Sequence, residues 1–206
     1  MSAVVPKRVA VLVSGGGTNL QALLDAASRG LMPHADIVLV VSSCKDAFAI
    51  ERAKKANVKT EVLDTSQYFG VNAYDNALLP VLLENKIDIV VLAGFLVIIG
   101  KKVLGAYKDR IINVHPSLIP SFCGDGYYGL FVHEAALKRG VKVTGATVHL
   151  VNEITDGGKI LLQKSVGIKE NDTPEILQRR VMEQAEWIIL PEALELICKE
   201  EVRSYE

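Results

Sequence analysis

Asn113 and His115 stand two residues apart in Asn113-Val114-His115-Pro116-Ser117, at the end of an apolar run that reads as a strand. Strand residues two apart point to the same side, so the two side chains project together. Asparagine supplies a fixed amide donor, and histidine a donor that titrates near neutrality. Such a pair can polarise a carbonyl and stabilise the oxyanion that forms when an amine attacks it. Taken alone, His115 reads equally well as a capping or hydrogen-bonded structural residue. A carboxylate that orients or protonates the imidazole would complete the set. Asp156, in Thr155-Asp156-Gly157-Gly158, is the best placed. Asp-Gly is also a common hairpin turn, so spacing alone leaves Asp156 open between the two roles.

A second chemical feature is Ser14-Gly15-Gly16-Gly17-Thr18-Asn19-Leu20, where an apolar run passes directly into a helical pattern. Glycines let the backbone approach a ligand closely, and the helix start offers unpaired N–H groups and a positive dipole end. Thr18 and Gln21 fit a capping box. The segment reads as a phosphate cradle or simply as a tight turn. A dinucleotide fingerprint wants glycine where Leu20 stands and an acidic residue at the end of the second strand, which here reads Ser42-Ser43-Cys44. A P-loop needs Gly-Lys-Ser/Thr, which is missing. The loop suits a monophosphate better than a dinucleotide.

The elements that must position these groups follow from the patterning. Residues 8–14, 37–42, 60–63, 87–93 and 110–114 are short apolar runs rich in Val and Ile, as expected of strands covered on both faces. Helical patterns fall at 18–28, 46–56 and 73–84, the last with Pro80 as an expected kink. Residues 144–151 and 159–168 read as longer adjacent strands joined by a turn at 155–158. Thr173-Pro174-Glu175 caps a final helix that continues to about Lys199. The prediction is an α/β fold: a doubly wound, mostly parallel, Rossmann-like sheet with antiparallel C-terminal strands and a C-terminal helix. Its ligands belong at the carboxyl ends of the strands.

The chain has 206 residues, half of them apolar, with a formal net charge of −1. One domain over 1–206 is expected, about 1–115 forming the phosphate-binding half and about 116–206 the rest. Near-neutral charge argues against nucleic-acid binding, so an anionic ligand must be held by local devices. Cys44, Cys123 and Cys198 are odd in number and widely spaced, and read as reduced thiols rather than a disulfide framework or metal site. No run approaches the roughly 20 apolar residues of a membrane span. A cytoplasmic protein without a leader is expected.

Together RVAVLVSGGGTNLQALLDA, DIVVLAGF, IINVHPSLIPSF, GATVHLV and TDGGKILLQ, in this order and spacing, resemble the phosphoribosylglycinamide formyltransferases of the formyltransferase superfamily. The resemblance runs from about Arg8 to the final helix. It implies transfer of a formyl group from 10-formyltetrahydrofolate to the amine of glycinamide ribonucleotide, a step of purine synthesis, with no metal. By the same resemblance Asn113, His115 and Asp156 match the catalytic trio, and Gly17, Thr18 and Asn19 the loop that binds the ribose phosphate. Glu186 matches a glutamate on the ribonucleotide. Phe95, Leu96, Val97, Ile98 and Ile99, with Asn113, match the folate pocket. Ile119-Pro120 matches a bond that is often cis. His149 is expected to hydrogen-bond behind the site. In the expected mechanism Asn113 and a protonated His115 meet the oxyanion while Asp156 favours the charged imidazole. A homodimer is left open.

The chain departs from the resemblance in places. Val71 and Val97 stand where many relatives carry arginine, and Phe131 replaces the first residue of a His-x-His pair, leaving His133. The loop at 123–129 is longer than in some relatives, and Tyr127 and Tyr128 read as part of a packed loop. The helix before Glu186 holds one extra residue. Rival readings are transfer to methionyl-tRNA, hydrolysis of the formyl donor, and a non-catalytic nucleotide-sensing module. The first expects a longer basic chain and the second an added N-terminal domain. The third has no use for a converging Asn, His and Asp.

Overall fold

The Val- and Ile-rich runs build one sheet covered by helices on both faces. The computed structural model describes residues 5–200. Residues 1–4 and 201–206, the ends of the span expected from sequence, lie outside the described residues. In chain order the elements are β1 (Lys7–Val13), α1 (Thr18–Ser28), β2 (Ala35–Ser42), α2 (Ala49–Lys55) and β3 (Lys59–Val62). A 3₁₀ turn (Thr65–Gln67), α3 (Val71–Glu84), β4 (Ile89–Leu92), α4 (Lys101–Ala106), β5 (Ile111–His115) and α5 (Leu130–Arg139) follow. The chain continues with β6 (Val143–Leu150), β7 (Ile160–Gly167), α6 (Pro174–Val181), a π-helical turn (Met182–Glu186) and α7 (Trp187–Cys198).

The seven strands lie in the order β3-β2-β1-β4-β5-β6-β7. β1 to β5 pair in parallel, whereas β6 and β7 are antiparallel additions at one edge. Alternation along β1 serves both layers. Val9, Val11 and Val13 pack with Leu20 and Leu23 of α1 and Leu190 and Leu194 of α7. Ala10 and Leu12 pack on the other side with Leu78 and Leu82 of α3 and Val103 of α4. Strand order reverses between β1 and β4, which makes a crevice at their carboxyl ends. The glycine segment leaves β1, and Asn113 and His115 end β5, on that same edge.

Several local expectations change. The final helix is not one regular rod: Trp187 N–H reaches back five residues to the Met182 carbonyl, so a π-helical turn separates α6 from α7. Short α4 and α5 were not apparent in the patterning, and α2 starts at Ala49 rather than 46. Pro80 lies inside α3, which runs on past it to Glu84. The capping box does not form. Gly17 is the N-cap of α1 in the left-handed region and Thr18 is already helical, so the Thr18 hydroxyl turns to the Met182 sulfur at 3.6 Å.

Gly17 is required twice over. Its φ is +71°, and a Cβ there would lie 2.6 Å from the Ala49 Cβ and 2.8 Å from the Ala49 Cα. Backbone strain and overpacking therefore combine. Gly17→Ala should cost about 2–3 kcal/mol and lower the midpoint of thermal unfolding by roughly 5–10 °C. An unchanged melting curve would show that the loop has slack.

Candidate active site

β5 delivers Asn113 and His115 by its alternation, and β6 pairs antiparallel beside it with His149 directly opposite Asn113. Asp156 comes from the β6–β7 connection, held at φ +55°. Its carboxylate reaches both β5 residues, with Oδ2 3.4 Å from His115 Nδ1 and Oδ1 3.5 Å from Asn113 Nδ2. Gly124 N–H donates to Oδ2 at 2.9 Å, and Thr155 Oγ1 donates to Asp125 at 2.9 Å. The 122–129 loop is thereby fastened to the same carboxylate. His149 approaches Asp156 Oδ1 at 3.5 Å, so the three groups anticipated from sequence meet, and a fourth joins them.

Hydrogen bonds fix which ring atoms carry protons. His115 Nε2 donates to the Phe122 carbonyl at 2.9 Å, which leaves Nδ1 facing Asp156. His149 Nδ1 donates to the Leu150 carbonyl at 2.8 Å, so in the neutral ring Nε2 accepts from Asn113 Nδ2 at 3.1 Å. One amide hydrogen of Asn113 is thus held. The other points at Asp156 from the outer limit of bonding distance, free to turn to a better acceptor.

Burial sets the charge state. It drives the His115 pKa below its ordinary 6.5, outweighing the opposing pull of Asp156 and the Phe122 carbonyl. The direction favours the neutral imidazole in the free protein, whereas the expected mechanism has His115 protonated as it acts. Burial pushes Asp156 the other way, up, but contacts from His149, the Gly124 N–H and His115 outweigh it, and the carboxyl stays below its usual value of 3.8. His133, left by the missing His-x-His pair, is wholly buried with neither ring nitrogen paired. Burial brings its pKa down to about 4. Phe131 stays exposed and meets Tyr128 edge to face at 5.3 Å, and Tyr127 meets Phe122 at 6.4 Å.

Across the crevice the glycine segment is braced by a cation that the motif reading overlooked. Arg52 of α2 donates from Nε to the Gly16 carbonyl at 2.8 Å and from Nη1 to Gln21 at 3.0 Å, with its guanidinium over the Phe48 ring. Beside it, Asn19 Nδ2 donates to Glu186 Oε2 at 2.6 Å, while Asn19 Oδ1 is buried without a partner. The π-helical turn brings the Glu186 carboxyl to the glycine segment. Burial lifts the Glu186 pKa to about 7, against the lowering effect of Asn19.

The Phe95–Ile99 stretch divides. Leu96 and Ile98 are exposed at the carboxyl edge, whereas Ile99 turns into the α3–α4 core and Phe95 and Val97 pack against it. The Ile119–Pro120 bond is cis. Among the described residues no cluster of three or more His, Cys, Asp or Glu is arranged to hold a metal ion, and no helix is long and apolar enough to cross a membrane.

The formyl transferase family profile matches residues 7–194. The chain belongs to the formyl transferase family. It is similar to the trifunctional purine biosynthetic protein adenosine-3 of Bos taurus, 43% identical over 95% of this chain but spanning only 19% of that protein. It is also similar to the chloroplastic phosphoribosylglycinamide formyltransferase of Arabidopsis thaliana, 37% identical over 96% of this chain and 67% of that one. The crystal structure of glycinamide ribonucleotide transformylase 1 from Symbiobacterium toebii superposes with a TM-score of 0.88 at 40% identity, covering 95% and 89% of the two chains. As a formyl transferase domain, the chain joins its two site halves through one crevice.

Arg52 was missed because its role depends on α2 packing against the β1–α1 turn, a contact without a local signal. The Phe122 carbonyl and the Gly124 N–H are backbone groups, which carry no residue-type signature. The buried Glu186 gives a test. Because its folded pKa of about 7 exceeds its ordinary 4.5, the folded chain keeps a proton that the unfolded chain releases. Its contribution is full below pH 4.5 and lost as pH rises through 7. Urea unfolding of Glu186→Gln should lack this decline, amounting to a few kcal/mol at most, roughly. Identical pH slopes in both proteins would count against a buried, protonated Glu186.

Proposed function

We propose that this formyl transferase moves the formyl group of 10-formyltetrahydrofolate to the amine of glycinamide ribonucleotide, giving formylglycinamide ribonucleotide and tetrahydrofolate. One observation carries the reading: a single half-buried carboxylate, Asp156, lies within 3.5 Å of both Asn113 and His115 on the sheet edge that also presents the glycine segment. The names of the relatives support the same substrates. The residues present fit both ligands. Gly15–Gly17 offer backbone N–H groups beside Arg52 for a phosphate. The apolar edge at Leu96 and Ile98, next to backbone groups, suits a flat heterocycle.

10-Formyltetrahydrofolate supplies the activated formyl group. Asn113 donates its loosely held amide hydrogen to the formyl oxygen as negative charge gathers there, and His149 keeps the amide turned the right way. His115 takes up, at the Nδ1 that faces Asp156, the proton that the amine releases as its nitrogen bonds to the formyl carbon. Asp156 stabilises the imidazolium so formed, and His115 gives the proton, directly or through water, to the folate nitrogen as its bond to the formyl carbon breaks. His115 therefore acts by receiving charge during the reaction rather than by carrying it beforehand.

Asn113→Ala should keep the fold and substrate binding but lose about a hundredfold or more in kcat. Steady-state kinetics following tetrahydrofolate release at saturating substrates would read this, and near-normal turnover would remove Asn113 from the role. The pH profile tests His115. The acid limb of kcat/KM should fall below 6.5, the ordinary histidine value, and move lower in Asp156→Asn, where the carboxylate no longer raises the imidazole pKa. A limb above that value, or one indifferent to Asp156, would argue against the proton assignment.

A further inference from the structure

On the face of the sheet opposite α3, α1 and α7 border an open groove of about 660 Å³. One wall is a stripe of α1 and its end, Ala22, Ala26 and Arg29, spaced by four and three residues as one helical face requires. The other is a stripe of α7, Ile188, Glu192 and Glu195, with the same spacing. Ala22 and Ala26 carry only methyl groups and fill little of the space between the helices. Asn19, Asn113, His115, Asp156 and Glu186 all stand outside the groove, which is therefore separate from the crevice and its chemistry.

Two of the charges bordering the groove are spent within the chain. Glu195 is taken by His34 Nδ1 at 2.6 Å and by Lys199 Nζ at 3.4 Å. Asp25 accepts from Gln21 Nε2 at 2.8 Å. Two others are not. Arg29 and Glu192 are exposed and make no ion pair or side-chain hydrogen bond, with each other or with any other described residue. The surface around them is apolar, with Leu31 61% and Ile188 39% exposed at the rim and Trp187 and Leu162 behind. Apolar side chains exposed around a concave surface mark a place where something docks.

The pattern of charge selects the occupant. A cationic partner would set a like charge against Arg29, and an anionic one would set a like charge against Glu192 and Asp25. A small zwitterion could meet both free charges but would leave Leu31 and Ile188 in water. A second copy of this chain meets all of them. Turned about a twofold axis, the same surface brings each free Arg29 to the partner's Glu192, so one contact satisfies both charges twice. Each Leu31, which projects just past the end of α1, then has a groove to enter. A net charge of −1 does not hold two copies apart. We infer that the α1–α7 face is a docking surface for a second copy of this chain, with Leu31 of each copy in the groove of the other and Arg29 of each against the partner's Glu192.

Sedimentation equilibrium of the full chain, from micromolar to millimolar concentration, tests this. The unaltered chain should show a reversible monomer–dimer equilibrium that weakens as salt is raised. Arg29→Glu, which sets two like-charged pairs across the contact, should raise the dimer Kd about tenfold. Adding Glu192→Arg to that variant restores opposite charges and should bring the Kd back to within about threefold of the original. Leu31→Ala, which removes the inserted side chain, should raise it about tenfold or more. A chain that stays monomeric at every concentration would overturn the proposal. So would a dimer indifferent to both Leu31→Ala and Arg29→Glu, since its interface would lie elsewhere. A double variant no better than Arg29→Glu alone would overturn the twofold pairing of Arg29 with Glu192. The groove holds none of the residues given a role in formyl transfer, so failure here leaves the transferase reading standing.

Discussion

An ionised carboxylate almost out of water has to be met from several directions, and Asp156 is met from four. Two imidazoles, an amide and a backbone N–H converge on its oxygens. They come from three parts of the chain: Asn113 and His115 from β5, His149 from β6 and Gly124 from the loop before α5. Burial pushes the carboxyl towards its neutral form, and its contacts, the Gly124 N–H among them, outweigh that and hold its pKa below 3.8. The same shell pins the loop, whose Phe122 carbonyl then takes the far nitrogen of His115. One charge thus ties the hairpin turn, the strand end and the loop into a fixed arrangement.

The opposite half of the crevice solves a different problem. A nearly neutral protein has no general field to draw an anion, so under the proposed reading the glycine segment supplies one locally. A left-handed Gly17 allows the β1–α1 turn to lie against Ala49, and that contact brings Arg52 to the Gly16 carbonyl. From the far end of the sequence the π-helical turn carries Glu186 to Asn19. A regular helix would rotate that carboxyl about 100° away, given 3.6 residues per turn. Single π turns recur at functional sites for this reason.

Much of the sheet was legible because parallel strands covered on both faces leave unbroken Val and Ile runs. The pairing of Asn113 with His115 was legible for an equally simple reason, the twofold period of a strand. Asp156 was not, since Asp-Gly says turn before it says acid, and only likeness to a family favoured it. The capping box at Thr18 failed because Gly17, not a side chain, ends the turn. The balance at His115 was not legible either, because a neighbouring carboxylate raises the ring's pKa while burial lowers it by more.

By itself, then, the sequence determined what depends on near neighbours along the chain: strand and helix periods, the glycine turn, the two side chains of β5. Packing decided the rest. It set the balance at His115, enlisted Arg52, Phe122 and Gly124, turned Ile99 into the core, and left a groove between α1 and α7. Those outcomes turn on desolvation and on contacts between segments far apart in number, quantities that no local pattern encodes.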